Sequence, residues 1–336
     1  MFGDHTSEWG INLWNPIQSL SLLATTPVGS TYILTRLDQD PPSITAAIVA
    51  KIKVELYSLI NNPCGRRVVF SLFQKQHLQR LGYSYGVLDH LISVDFRGQL
   101  LASCINDEGV STLNELMGSL NERERYMFTI GIRNITPTLM EHNNIHVILH
   151  LIRAYPVHLI AIIFNAIGEE SLRISRAWDG VRNIMSCLRA APREAQLNLL
   201  QNIISRAVEL AEGGNCGRVL LHHLIEFDPL LVGHMLIIPF AGHVVRLSKT
   251  TFGSFVVRDL IERCAPWDAA IVIEEILSHP HSDIVHLAKD KIGNNVICFA
   301  VHHSEGQQHA RLCGLLMSNA ATLRQNMHGR RVLAQI

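Results

Sequence analysis

The sequence lacks paired cysteines and any apolar stretch long enough to cross a membrane. Its longest apolar run, Val157–Phe164, is interrupted by His158 and is far shorter than the roughly 20 residues of a spanning helix. The first residues, MFGDHTSEWGINLW, hold early acids and no basic stretch followed by an apolar one, so we expect no secretory signal. Seven cysteines lie singly, without a C-x-x-C pair, which favours buried or free thiols in a reducing compartment. We therefore expect a soluble, cytoplasmic protein with no membrane partner.

The sequence also has no net charge. Its 29 basic and 29 acidic residues exclude a global basic field that would collect nucleic acid. Only six of the basic residues are lysines, and 23 are arginines. Because arginine suits planar stacking and bidentate phosphate contacts better than lysine does, a nucleotide partner would be held by local contacts.

The motifs of common enzyme classes are absent. The chain contains no G-x-S-x-G, H-E-x-x-H or G-x-x-x-x-G-K-[ST] sequence. The pairs Glu169–Glu170 and Glu274–Glu275 could act as acid and base only if the fold brought them together, and as helix neighbours they are better interpreted as solvated faces. We expect no catalytic activity, no cofactor and no small-molecule substrate.

Two further clusters have competing interpretations. His142, His146 and His150 are spaced by four residues, which could place metal ligands on one helix face or ordinary histidines on a surface. The glycines of Gly213–Gly217 resemble a phosphate loop, but no strand pattern precedes them. They fit the end of one helix and the beginning of the next better, and we predict no metal site.

A seven-residue motif recurs through the chain: a variable residue, a glycine, two variable residues, two mostly apolar residues and a variable one. Its nine copies are VGSTYIL, CGRRVVF, EGVSTLN, NNIHVIL, DGVRNIM, CGRVLLH, FGSFVVR, IGNNVIC and HGRRVLA. The second position of the motif, called the repeat glycine below, is Gly29, Gly65, Gly109, Asn144, Gly180, Gly217, Gly253, Gly293 and Gly329. Successive gaps are 36, 44, 35, 36, 37, 36, 40 and 36 residues, so the chain is built from repeats of about 36 residues.

Within each repeat the pattern is helical. After Gly217, apolar residues recur at three- and four-residue steps, and an apolar content of 48% with only 6% aromatics favours helix-on-helix packing. The long second gap contains GYSYG at Gly82–Gly86, which we interpret as a loop insertion. Prolines that fit the first turn of a following helix are Pro156, Pro192, Pro229 and Pro266. Residues that could cap the helix after the glycine are Asn61, Asn62, Asp107, Asn143, Asp179 and Asn215.

This period and motif resemble those of the Pumilio (PUF) family of single-stranded RNA-binding proteins. The terminal stretch ATLRQNMHGRRVLAQI closely resembles the final cap of that family, and the resemblance covers roughly Ile17 to Ile336. It implies one Pumilio homology domain over residues 1–336, with eight repeats at positions 29 to 293 and a cap at about 317–336. It also implies an all-α, crescent-shaped solenoid of three-helix repeats, with RNA along the second helices.

The family reads about one base per repeat with two or three side chains. Residues four apart on a helix lie side by side and can contact one base edge together, while the residue between can stack. The resemblance gives the edge positions, first and fifth after the repeat glycine, as Ser30 with Leu34, Arg66 with Phe70, Val110 with Asn114, Ile145 with Leu149, Val181 with Met185, Arg218 with His222, Ser254 with Arg258, and Asn294 with Cys298. It gives the stacking positions, second after the repeat glycine, as Thr31, Arg67, Ser111, His146, Arg182, Val219, Phe255 and Asn295.

The edge positions depart from the family pattern. Pumilio repeats typically hold Gln or Glu at the fifth position, and none of these eight repeats does. Apolar side chains such as Leu34, Phe70 and Met185 offer a base edge no hydrogen bond. The planar groups of Arg67, His146, Arg182 and Phe255 remain available for stacking, so we predict a surface that holds RNA with a degraded base-reading code.

The resemblance implies a regulator that binds the 3′ untranslated regions of messenger RNA to control translation and stability. Regulatory proteins on the convex face are further expected partners. The alternative is a helical-repeat scaffold that binds proteins and has lost sequence-specific RNA readout. Neutral charge and apolar edge positions favour the scaffold, whereas eight repeats with a cap and the planar stacking positions favour RNA.

Overall fold

The computed structural model describes residues 20–142 and 144–336. The chain divides into two compact units, Met1–Ile163 and Phe164–Ile336. The described residues form α-helices joined by short turns, with one 3-10 segment at Val94–Phe96 and no β-strand among them. None of the helices in these ranges is long and apolar enough to cross a membrane. The all-helical repeat fold predicted from the motif is confirmed.

The helices follow one another closely along the chain. Before position 155 they are α1 (Leu20–Ala24), α2 (Pro27–Gln39), α3 (Pro42–Val54), α4 (Leu56–Ile60), α5 (Pro63–Gln74), α6 (Gln76–Arg80), α7 (Tyr83–Ile92), α8 (Arg97–Ile105), α9 (Asp107–Ser119), α10 (Glu122–Glu141) and α11 (His146–Ala154). They continue as α12 (Val157–Glu169), α13 (Ser171–Ile174), α14 (Trp178–Ala190), α15 (Arg193–Ile204), α16 (Ala207–Glu212), α17 (Asn215–Phe227), α18 (Pro229–Phe240) and α19 (Val244–Ser248). The last are α20 (Gly253–Arg263), α21 (Pro266–Ser278), α22 (His281–Lys289), α23 (Gly293–His303), α24 (Gly306–Ser318), α25 (Ala320–Arg324) and α26 (Met327–Leu333).

Most repeats consist of a long first helix, a shorter connecting helix and a second helix that has the repeat glycine in its first turn. In one repeat these are α15, α16 and α17, with Gly217 in the first turn of α17. The fourth repeat differs, because the 20-residue α10 replaces two helices and α11 begins only after Asn144. The predicted proline positions are confirmed, since these residues begin or directly precede α12, α15, α18 and α21.

Each repeat glycine except Asn144 lies where the second helix crosses the preceding connecting segment. A Cβ on Gly65 would lie 2.6 Å from the carbonyl oxygen of Leu59, and one on Gly253 would lie 2.8 Å from that of Leu247. A residue six or seven positions earlier obstructs a Cβ in the same way at Gly29, Gly109, Gly180, Gly217, Gly293 and Gly329. Only glycine allows this close approach of the two backbones, which is the physical basis of the repeat in the sequence.

The side chain that caps these helices lies three residues before the repeat glycine. Oδ1 of Asn62 accepts a hydrogen bond from the N–H of Gly65 at 3.0 Å, and Oδ1 of Asn106 accepts one from Gly109 at 3.0 Å. Side-chain oxygens at the same offset accept from the repeat glycine at Thr26, Thr250, Asp290 and Asn326. These bonds satisfy N–H groups that a helix leaves without a partner at its first turn.

The cap prediction from sequence is confirmed for Asn62 alone. Asp107, Asp179 and Asn215 are wrong because they already lie within the first turn of α9, α14 and α17. Asn61 is also wrong, since it ends α4. Asn143 lies outside the described residues.

The insertion in the third repeat is helical, so the loop predicted at Gly82–Gly86 is wrong. The extra residues form α6, and α7 begins at Tyr83. Gly82 adopts φ 74°, a left-handed conformation that favours glycine, and makes the turn between these two helices. Ser84 is buried and donates a hydrogen bond to Oε1 of Glu124 at 2.8 Å, which holds this segment against α10.

The glycines of Gly213–Gly217 form a helix junction, as the sequence indicates. Gly213 ends α16, and Gly214 has φ 126° immediately before α17. The acidic pairs are surface groups of helices: Glu274 pairs with Arg311 at 2.8 Å, and Glu275 accepts a hydrogen bond from the N–H of Val244.

Neighbouring repeats bury each other's apolar faces. In the first unit α5 packs between α2 and α9, and in the second unit α17 packs between α14 and α20. First helices stack in the same order, with α18 between α15 and α21. The core of these layers is aliphatic, as in Leu220, Leu224 and Val256. A single repeat could not bury this surface alone, so the stability of each repeat depends on its neighbours.

All seven cysteines are free, and we expect burial to protect two of them from alkylation. Burial raises the pKa of the Cys104 and Cys187 thiols to about 12. Since the thiolate is the reactive form, both should resist iodoacetamide in the folded protein, whereas the half-buried Cys64 and Cys216 should react first. Mass spectrometry after labelling, with and without denaturant, measures this order. Equal labelling of Cys104 in native and denatured protein would contradict it.

Candidate nucleic-acid interface

The stacking positions present most of their side chains to solvent. Arg67, His146 and Arg182 are exposed, and Phe255 leaves 40% of its surface accessible. Thr31 and Ser111 are also exposed, and Asn295 is half-buried. Val219 is buried, so its assignment as a stacking position is wrong. Two guanidinium groups, one imidazole and one phenyl ring are therefore accessible on the second helices.

The first edge position is largely buried, which corrects the sequence interpretation for three polar residues. Ser30 and Asn294 are fully buried, and Ser254 nearly so. Their side chains donate to carbonyl oxygens of their own first turn: Ser30 to Pro27, Ser254 to Thr251, and Asn294 to Asp290 at 2.8 Å. These groups tighten the helix start and do not face a ligand.

The second edge position, which is the fifth residue after the repeat glycine, holds both buried and half-buried side chains. Phe70 and Met185 are buried, while Leu34, Leu149 and Cys298 are half-buried. Asn114 is half-buried, and its Oδ1 is a buried oxygen without a hydrogen-bond partner. Only His222 and Arg258 add charge-bearing groups at this position.

Arg66 and Ser111 contact each other across neighbouring second helices. Nη1 of Arg66 donates to Oγ of Ser111 at 3.1 Å and lies 3.8 Å from Oε2 of Glu108. This ion pair is exposed and therefore weak. The guanidinium retains further donors, so it can still reach a phosphate oxygen.

Arg218 and Arg258 lie against aromatic rings. The Arg218 guanidinium is 4.9 Å from the centre of the Phe255 ring, and that of Arg258 is 5.6 Å from Phe255 and 4.1 Å from Phe299. Such contacts orient the guanidinium groups next to the ring. The cluster combines a π-face with positive charge, as a surface that binds a base next to its phosphate requires.

His222 is flanked by carboxylates. Its Nδ1 lies 2.8 Å from Oδ2 of Asp259, and its Nε2 lies 3.3 Å from Oε1 of Glu226. Arg263 also pairs with Asp259, at 3.2 Å. The side-chain hydrogen bond from His223 holds the pKa of Glu226 below its usual range. Both ring nitrogens of His222 are therefore engaged, and reading of a base edge by this side chain would require these contacts to break.

Each unit has an open cavity on its second helices. The first has a volume of about 270 Å³ and is lined by residues of α2, α5 and α9, among them Arg67, Gln74 and Glu115. The second has a volume of about 190 Å³ and is lined by residues of α14 and α17, among them Arg182 and Arg189. Sequence interpretation missed Gln74, Glu115 and Arg189, because they lie beyond the motif. No group of three or more His, Cys, Asp or Glu among the described side chains could hold a metal ion.

The repeats and the accessible side chains of their second helices define the class of the chain, an α-helical repeat protein. Residues 243–277 and 283–314 match the family model of the Pumilio-family RNA binding repeat. A Pumilio domain-containing protein of Schizosaccharomyces pombe is 21% identical over 314 residues, which cover 92% of this chain and 44% of that protein. Pumilio homolog 12 of Arabidopsis thaliana is 22% identical over 241 residues, which cover 71% and 40%. The chain thus spans less than half the length of these curated relatives.

A solved structure has a similar fold. The Puf4 RNA binding domain, bound to a recognition sequence from the HO endonuclease RNA 3′ UTR, gives a TM-score of 0.53 at 19% identity, covering 94% of this chain and 97% of that one. Together with the repeat glycines and the three-helix repeats, these findings make the chain similar to Pumilio proteins, with the family model matching in the C-terminal part.

Proposed function

We propose that this chain binds single-stranded RNA through its second helices. The observation that carries the proposal is the exposure of Arg67 and His146 in the first unit and of Arg182 and Phe255 in the second, all at the same repeat position. A planar side chain can stack on any base, and such contacts contribute roughly 1–3 kcal/mol per base. Arginines such as Arg66 and Arg258 add phosphate neutralisation, which makes binding dependent on salt.

The proposal extends to a biological role. The chain acts as a post-transcriptional regulator on 3′ untranslated regions of messenger RNA in the cytoplasm, where it controls translation and stability, with protein partners on the first helices. Similarity to Pumilio proteins supports this role, and so does the 3′ UTR sequence bound by the Puf4 domain. Crosslinking in cells followed by sequencing of the bound RNA tests it. Reads distributed without preference for 3′ untranslated regions would contradict it.

We expect weak discrimination between a Pumilio target and random single-stranded RNA. The fifth edge position offers no Gln or Glu, and three polar residues of the first edge position are buried. Fluorescence anisotropy with labelled RNAs measures both affinities, with an RNA duplex as a negative control because its bases are already stacked. A preference above about a thousandfold, which sequence-specific complexes readily reach, would contradict the degraded code.

A protein-binding scaffold is the second candidate. Leu230 and Trp267 hold the same position in the successive first helices α18 and α21, and each leaves 62% of its surface accessible. Large apolar side chains on a surface often mark protein contacts. If the chain shows no measurable RNA affinity at low salt, the RNA proposal fails and this candidate takes its place.

A further inference from the structure

The cavity of the first unit combines an apolar surface with three polar groups of different character. Leu34 and the buried Phe70 form its apolar part, and the exposed Arg67, Gln74 and Glu115 line it with a guanidinium, an amide and a carboxylate. Its volume of about 270 Å³ is near the lower limit of ligand pockets, a size suited to a single base.

The cavity of the second unit is built from the equivalent positions. Counted from the repeat glycine, Arg67 matches Arg182 at the second position, Phe70 matches Met185 at the fifth, and Gln74 matches Arg189 at the ninth. Each cavity is completed by the residue at the sixth position of the following repeat, which is Glu115 in the first cavity and His223 in the second. The same four positions therefore form a cavity in each unit, with an apolar side chain at the fifth position in both and different polar side chains at the ninth and sixth positions.

Helix geometry relates these cavities to the edge positions. The fifth and ninth positions are one helical turn apart on the same face, about 6 Å along the axis. The fifth position holds an apolar side chain in both cavities, and the polar side chains follow one turn later. A base could stack on the arginine at the second position and lie over the apolar side chain at the fifth position. The edge of that base would then face the side chain at the ninth position.

The other polar groups of the first cavity are already engaged within the protein. Oγ of Ser71 donates to the carbonyl oxygen of Val68 at 2.7 Å. Nζ of Lys75 donates to Oδ2 of Asp38 at 2.5 Å and to the carbonyl oxygen of Leu34 at 3.5 Å. A ligand in this cavity is therefore recognised chiefly by Gln74 and Glu115.

We propose that Gln74 and Glu115 form a base-specificity site that lies one helical turn from the edge positions and takes a guanine of single-stranded RNA. A carboxylate accepts hydrogen bonds only, and an amide can donate one. The Watson–Crick edge of guanine presents two adjacent donors, N1–H and the N2 amino group, beside the acceptor O6. Adenine, cytosine and uracil each present a single donor group on that edge. The proposal rests on the RNA binding proposed above and adds a base preference to it.

Oligouridine 10-mers with a single central guanine, adenine or cytosine, and the unsubstituted 10-mer, test this site by fluorescence anisotropy. We expect the guanine-containing RNA to bind the full chain about tenfold more tightly than the other three, as a well-placed pair of hydrogen bonds allows. Glu115→Gln should remove the guanine preference, because the amide keeps only one acceptor oxygen where the carboxylate has two. Gln74→Ala should reduce the preference.

A matched control is Glu122→Gln, which removes an exposed carboxylate from the first turn of α10 and should leave the guanine preference unchanged. Equal binding of all four RNAs by the unmodified chain, or a guanine preference that survives Glu115→Gln, would overturn the site while RNA binding stands. Absence of binding to every RNA would overturn RNA binding together with the site. Circular dichroism of each variant confirms that it is folded.

Discussion

Replacement of both Arg182 and Phe255 by alanine is expected to weaken binding of single-stranded RNA by roughly 2–6 kcal/mol, the contribution of two stacked bases. Both side chains are accessible, and both occupy the stacking position of their repeat in the second unit. The loss should be similar for RNAs of different sequence, because every base has a π-face. Fluorescence anisotropy at low salt, with several unrelated RNAs, measures it.

The matched control for this double variant is Arg193→Ala with Trp267→Ala. It removes the same kinds of side chain from first helices, where Arg193 pairs with Asp228 at 2.8 Å and Trp267 is exposed. RNA affinity should remain close to that of the parent. Stacking on the second helices is the wrong model if the Arg182 and Phe255 variant binds as tightly as the parent, or if the control variant loses as much affinity.

Alanine at Gly109 and alanine at Gly118 should change stability in opposite directions, although both glycines lie in α9. A Cβ on Gly109 would clash with the carbonyl oxygen of Ser103 and the side chain of Asn61, so Gly109→Ala should destabilise by about 1–3 kcal/mol. A Cβ on Gly118 would meet nothing within 4 Å, and the higher helix propensity of alanine should stabilise by up to about 1 kcal/mol.

Thermal melting followed by circular dichroism compares these two variants with the parent. Gly109→Ala should melt earlier and Gly118→Ala later. Because repeats depend on their neighbours, we expect the earlier transition of Gly109→Ala to include adjoining repeats of the first unit. A melting temperature of Gly109→Ala equal to that of the parent would show that α8 and α9 can separate without cost, which contradicts the close approach of their backbones.

The repeat, the helical class and the start of each second helix could be predicted from the sequence because they depend on local constraints. Because only glycine permits the two backbones to approach, glycine recurs in the sequence at a regular spacing. Prolines mark where the next helix begins. The cap position was predictable only in part. Asn and Asp residues occur at more than one place near the glycines, and the helix geometry selects the one three residues before, as at Asn62 and Asn106.

The candidate site was predictable to a smaller extent, since exposure depends on residues of neighbouring repeats. Thr31 and Arg67 follow the motif and are accessible, but Ser30 and Asn294 follow it equally well and are buried. The sequence could not indicate that Arg218 and Arg258 lie against Phe255, because these contacts depend on how consecutive second helices pack.

The sequence by itself therefore determined that this chain is a helical-repeat protein of about 36 residues per repeat and that its second helices begin near the repeat glycines. Only the tertiary structure decided which polar side chains remain available to a ligand. Gln74 and Glu115 belong to different repeats and carry no motif, and the packing of α5 against α9 places them in one cavity. The residues that recur at each period are those that one repeat needs in order to stack on the next. A binding surface depends on other side chains, which stacking does not constrain and which therefore follow no period.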